Sequence, residues 1–174
     1  MGGPPPHQTF TGSQSNEVRL ATLLADGATT IAAAESCTGG EVAHRITSVA
    51  GSSAYFLGSI VAYANSAKEH LLGVPASVIE TRGAVSAECA LAMAEGARRA
   101  FGAEVAVATT GIAGPGGATP RKPVGLVYIA VATPAGGEVE EHYVAGDRAA
   151  VVDAAAEAAL SLLLRSVERR RDGT

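Results

Sequence analysis

The chain has 174 residues, a formal net charge of −4 at pH 7, 47% hydrophobic residues and 17% charged residues. That length favours one domain around a single core, and that balance of apolar and charged residues excludes a disordered chain. The acidic charge offers no general attraction to nucleic acid or anionic membrane, and four Tyr, three Phe and no Trp leave few platforms for stacking bases.

Residues 1–14 are rich in Pro, Gly and polar side chains and read as a disordered leader or tag remnant. Residues 15–170 form the expected domain and 171–174 a short tail. Asn16–Ala25 carries apolar residues at helical spacing, with Gly27 where a helix would end. Thr29–Ala34 is a short apolar run bounded by turn signals, as in a buried strand. A short helix is expected after Gly40, to about Thr47, then a strand over Phe56–Ala64 and a helix over Ser66–Leu72 that Gly73 closes. Ser86 is the expected N-cap of a helix to Phe101, followed by a strand over Glu104–Thr109. After a Gly/Pro-rich loop at 110–122, Val124–Ala132 and Glu138–Val144 read as an antiparallel hairpin. Asp147 can cap a long Ala/Leu helix reaching about Arg169. The expected class is α/β, a three-layer α/β/α sandwich with a mixed, mostly parallel sheet of about five strands. With 36 alanines and 21 glycines, the core must consist of thin, closely packed layers.

In such sheets ligands bind beyond the carboxyl ends of the strands. The first strand-end loop is Ala34-Glu35-Ser36-Cys37-Thr38-Gly39-Gly40. A serine ahead of a helix sits among unpaired amides that can hold a phosphate or an oxyanion, although Ser36 or Thr38 could equally be a simple cap. The second loop carries Tyr63 and Lys68, either surface residues or a pair brought to the same rim; a buried lysine that loses its proton can activate a serine. The third, Thr109 to Gly117, has four glycines whose amides can face an anion, or is a plain flexible loop. It lacks the Gly-Lys-Ser/Thr ending of an ATP-binding loop. Arg148, in the first turn of the last helix, opposes the macrodipole, so it is either an anion ligand or a surface residue.

No spacing of His7, His44, His70 and His142 indicates a metal site. Cys37 is a rival nucleophile to Ser36 but has no adjacent histidine, so it reads as a small packed residue. Two cysteines without a CxxC spacing read as free cytosolic thiols, in line with an expected cytoplasmic location.

The ordered set Ala34–Gly40 (AESCTGG), Gly51–Phe56, Tyr63–Lys68, Gly83–Ser86, Thr110–Pro115 (TGIAGP), Lys122–Gly125 and Gly146–Arg148 resembles the CinA C-terminal domain family of nicotinamide mononucleotide amidohydrolases, over about residues 16–168. The resemblance is to the stand-alone form, since the chain has no room for the molybdopterin-binding-like domain that many members carry. It implies hydrolysis of the carboxamide of nicotinamide mononucleotide to nicotinic acid mononucleotide and ammonia, without metal or other cofactor. It implies Ser36, Tyr63 and Lys68 as catalytic residues. It also maps Thr110 and Arg148 onto the family's pattern; together with the amides and glycines of the two loops, at Cys37, Thr38, Gly39, Gly40, Gly111 and Gly114, they are the expected substrate-binding residues. Thr109 stands where a valine is commoner in the family, a change expected to be harmless. Lys68 would take the Ser36 proton directly or through Tyr63, and amides from Cys37 to Gly39 would hold the oxyanion. The expected partner is the small-molecule substrate, with no nucleic acid and no membrane, in a homo-oligomer. Rival readings are a non-catalytic nucleotide-binding module linked to competence or DNA damage, and a structural partner protein. The latter would use the Leu160, Leu163, Leu164 and Val167 face, which is otherwise expected to serve the core or an oligomer contact.

Overall fold

The computed structural model of the protein describes residues 14–173. Apart from Gln14, the leader read from the sequence lies outside the described residues. The chain runs α1 (Asn16–Leu24), β1 (Ile31–Glu35), α2 (Glu41–Thr47), β2 (Phe56–Val61), α3 (Asn65–Leu72), α4 (Ala76–Thr81), α5 (Ala87–Phe101), β3 (Val105–Gly111), β4 (Leu126–Thr133), β5 (Gly136–Tyr143) and α6 (Arg148–Asp172). The five strands lie in the order β2-β1-β3-β4-β5. β1 pairs in parallel with β2 and β3, and β4 is antiparallel to both of its neighbours. Only β4 therefore opposes the common direction. The helical crossovers account for the parallel half, and a tight turn at Pro134-Ala135 closes the hairpin with Thr133 opposite Gly136.

Side chains alternate across a strand with period two, and here the two faces differ in size. Ile31, Val105, Val107, Val127, Ile129 and Val131 point to one face, where they meet Leu20, Leu24, Val42, Ile46 and the apolar stripe of α6. Ala32, Ala34, Ala106, Ala108, Ala130 and Ala132 point to the other, under Ala90, Met93, Ala94 and Ala97 of α5. The small face lets α5 lie close to the sheet. Close approach continues sideways: a Cβ at Gly96 would sit 2.0 Å from the Leu72 carbonyl oxygen, so α3 and α5 touch through a glycine. Leu160, Leu163, Leu164 and Val167 are buried in the core of the larger face, which settles their role as packing.

Asp147 and Ser86 cap their helices as expected, accepting from the Ala150 and Cys89 amides. β2 ends at Val61 rather than Ala64. The apolar run continues, but the Ala62 and Tyr63 carbonyls turn towards Lys68 and leave the ladder. α4, with Pro75 at its N-cap, has six residues, too few for a periodic pattern to reveal.

Candidate active site

The order β2-β1-β3 sets three parallel strands side by side, so their carboxyl ends open on one edge of the sheet. Ser36 follows β1, Lys68 lies in α3 beyond β2, and Thr110 lies near the end of β3. They meet in a cleft of about 190 Å³, whose lining also includes Cys37, Tyr63, Asn65, Ala84, Val85 and Gly111.

Lys68 is 1% exposed. Its Nζ donates to the carbonyls of Ala62 (2.8 Å) and Tyr63 (3.1 Å) and lies 2.9 Å from Ser36 Oγ. None of these partners is a carboxylate. Burial pushes the ammonium below its ordinary value of 10.5, against smaller opposing effects of Cys89 and Cys37. A neutral amine has two N–H groups and one lone pair. The two carbonyls take the two hydrogens, and the lone pair then faces the serine hydroxyl. That is the geometry of a general base against a nucleophile.

Ser36 is held from both sides. Its amide donates to the Thr109 carbonyl (3.0 Å), and its carbonyl accepts from the Gly39 amide (3.1 Å). Behind it, Glu35 is fully buried. The Glu35 carboxylate accepts from the Thr38 hydroxyl, the Gly40, Val42 and Ala43 amides and the Ser59 hydroxyl, at 2.7–3.1 Å. It therefore fills the positive end of α2 itself. The expectation that amides from Cys37 to Gly39 converge on an oxyanion narrows accordingly. The Gly39 and Gly40 amides are already engaged, whereas Cys37 and Thr38 donate to no backbone carbonyl among the described residues. Burial pushes the Cys37 thiol up to about 11, so it stays protonated and is no nucleophile at neutral pH.

Alternation along β3 separates its two threonines. Thr109 points to the Glu35 side and shares a 2.7 Å hydrogen bond with the Thr38 hydroxyl. Thr110 points to the cleft side and donates to the Ala84 carbonyl at 2.7 Å. Gly111 is required by packing: a Cβ there would lie 2.7 Å from the Leu126 carbonyl oxygen. Arg148 reaches back over the cleft. Its guanidinium donates to the Gly114 carbonyl (2.9 Å) and to the Tyr63 hydroxyl (2.7 Å). Tyr63 is 58% exposed; its carbonyl meets Lys68 while its phenol meets Arg148. Lys68 thus contacts Ser36 without the phenol between them.

Thr38, Gly39, Gly40, Gly114 and Arg148 are absent from the lining; Gly39 bonds the Ser36 carbonyl, Thr38 and Gly40 bond the Glu35 carboxylate, and Arg148 bonds the Gly114 carbonyl and the Tyr63 hydroxyl. Sequence reasoning missed Asn65, Ala84, Val85 and Ala113 in the lining. It also missed Glu35, although all five sit inside segments it had singled out. Among the described residues no three His, Cys, Asp or Glu side chains cluster as metal ligands, and no helix is long and apolar enough to cross a membrane.

A family profile described as the CinA C-terminal domain matches residues 13–167. A CinA-like protein of Geobacter sulfurreducens is 51% identical over 154 residues, which are 88% of this chain and 37% of that protein. The chain thus spans a little over a third of the length of that curated relative. The crystal structure of the competence/damage inducible protein CihA from Agrobacterium tumefaciens is 38% identical. It matches with a TM-score of 0.84, covering 90% of this chain and 99% of that one. The competence damage-inducible protein A (ComA) of Klebsiella pneumoniae matches with the same TM-score at 30% identity, over 89% and 98%.

Proposed function

The chain belongs to the family of the CinA C-terminal domain, and from that premise we propose that it hydrolyses the carboxamide of nicotinamide mononucleotide, giving nicotinic acid mononucleotide and ammonia in pyridine nucleotide recycling. The observation that carries this reading is the 2.9 Å approach of a buried lysine, bonded otherwise only to carbonyls, to Ser36 Oγ.

Neutral Lys68 removes the hydroxyl proton as Ser36 Oγ attacks the carboxamide carbon. The Cys37 amide, in the lining of the cleft, receives the oxyanion, such a donor being worth about 3 kcal/mol of barrier. The Lys68 ammonium returns its proton to the departing nitrogen, which leaves as ammonia. Water, deprotonated by Lys68, then attacks the acyl-enzyme and restores Ser36. Arg148 and the loop after β3 are the candidates for the substrate phosphate.

The test is ammonia release from nicotinamide mononucleotide by the purified, metal-free protein. Wild type should turn over, and Ser36→Ala should fall by at least about 10⁴-fold, as for removal of a serine nucleophile. Full activity in Ser36→Ala would overturn the nucleophile, and no release by wild type would overturn the substrate.

A further inference from the structure

The Lys122-Pro123-Val124-Gly125 segment supplies a second lysine that the chemistry above leaves without a task. Its Nζ donates to the carbonyls of Arg82 (2.7 Å) and Val85 (2.6 Å). Those residues bracket the turn between α4 and α5. Each of the four carbonyls in that turn accepts from a side chain: Arg82 and Val85 from Lys122, Gly83 from the Ser86 hydroxyl (2.8 Å), and Ala84 from the Thr110 hydroxyl (2.7 Å). Gly83 has φ +84°, and a Cβ there would lie 2.9 Å from Nζ, so the turn wraps closely around the ammonium. A cation is also favoured beyond the carbonyl end of α4.

The turn is a wall of the cleft, because Ala84 and Val85 line it together with Ser36, Lys68 and Thr110. Lys122 itself is fixed from the opposite side. Its amide donates to the Thr119 carbonyl (3.1 Å) and its carbonyl accepts from the Thr119 amide (2.9 Å). The ammonium therefore ties the loop after β3 to the turn before α5.

We infer that Lys122 is a positioning residue: by gathering the Arg82 and Val85 carbonyls it sets the Ala84–Val85 wall against which the substrate binds. Its ammonium hydrogen-bonds to neither Ser36 nor Lys68, so it acts on binding and leaves the base untouched. The inference rests on the reading of this cleft as the catalytic one.

Lys122→Met keeps the stem and deletes the charge. The expected result is a KM for nicotinamide mononucleotide raised about tenfold, the scale of one charge-assisted hydrogen bond, with kcat within about threefold and the acid limb of the kcat profile unmoved. In Lys122→Ala, added propylammonium, which replaces the missing stem and charge, should lower KM again. A KM within about twofold of wild type would overturn the inference, as would a loss confined to kcat with a displaced acid limb. Amide hydrogen exchange across residues 83–86 judges Lys122 without any substrate. Faster exchange in Lys122→Met than in wild type supports the inference, and equal rates overturn it. Should wild type release no ammonia, the functional reading falls while the exchange result still stands.

Discussion

Lys68 and Lys122 are two solutions to one problem, an amine folded against backbone carbonyls with no carboxylate among its hydrogen-bond partners. Each donates to two carbonyls. Lys122 retains part of its exposure and joins two loops. Lys68 is 1% exposed, and its third direction ends on a serine hydroxyl. The carbonyl pair alone makes a structural clamp. On the proposed function, deep burial together with a hydroxyl on the remaining lone pair suits Lys68 to act as a base, because burial disfavours the charge that carbonyls alone would stabilise.

The difference is widest in turnover. Lys68→Met should lower kcat by about 10³-fold, within the range for loss of a positioned general base, whereas Lys122→Met should act mainly on KM. Steady-state ammonia release for both variants checks this, and similar kcat losses would erase the distinction. Tyr63→Phe sharpens it. Because the phenol meets Arg148 and not Lys68, kcat should fall by less than about tenfold, with the larger effect in KM. A loss as large as that of Lys68→Met would restore the phenol as a relay.

Stability gives smaller effects. The lowered Lys68 value means that, below 10.5, the unfolded chain binds a proton that the folded chain releases sooner as pH rises. Stability should therefore increase with pH between the folded value and 10.5, and Lys68→Met should lack this slope. Denaturant titrations from neutral pH upward compare the two, and parallel curves would contradict the lowered value. At Glu35 every neighbour in the hydrogen-bond network is a donor. Glu35→Gln turns an NH₂ group against them and should cost about 2 kcal/mol, read by urea unfolding.

Much of this site was legible because strand ends are legible. Alternating helix and strand signals imply parallel neighbours, which bring Ser36, Lys68 and Thr110 to one edge. What the sequence hides is orientation within a residue. It names Tyr63 but not which end of it meets Lys68, and the structure uses the carbonyl. It marks Thr109 and Thr110 together, while the strand's period of two sends one to Glu35 and the other to the cleft. Glu35 stayed hidden because its donors come from the loop after β1, from α2 and from β2, and only the folded turn assembles them. The alanines also change meaning. As composition they say only that the layers are thin, whereas in the sheet they form one face that lets α5 lie close to it.

The central claim, that Lys68 is a neutral base in the folded protein, is tested most directly by NMR of the labelled lysine side chains across pH, with Lys68→Met identifying the resonance. The account predicts that Lys68 titrates below its ordinary value of 10.5. It also predicts that the acid limb of kcat/KM follows that titration. A Lys68 resonance titrating at its ordinary value would contradict it.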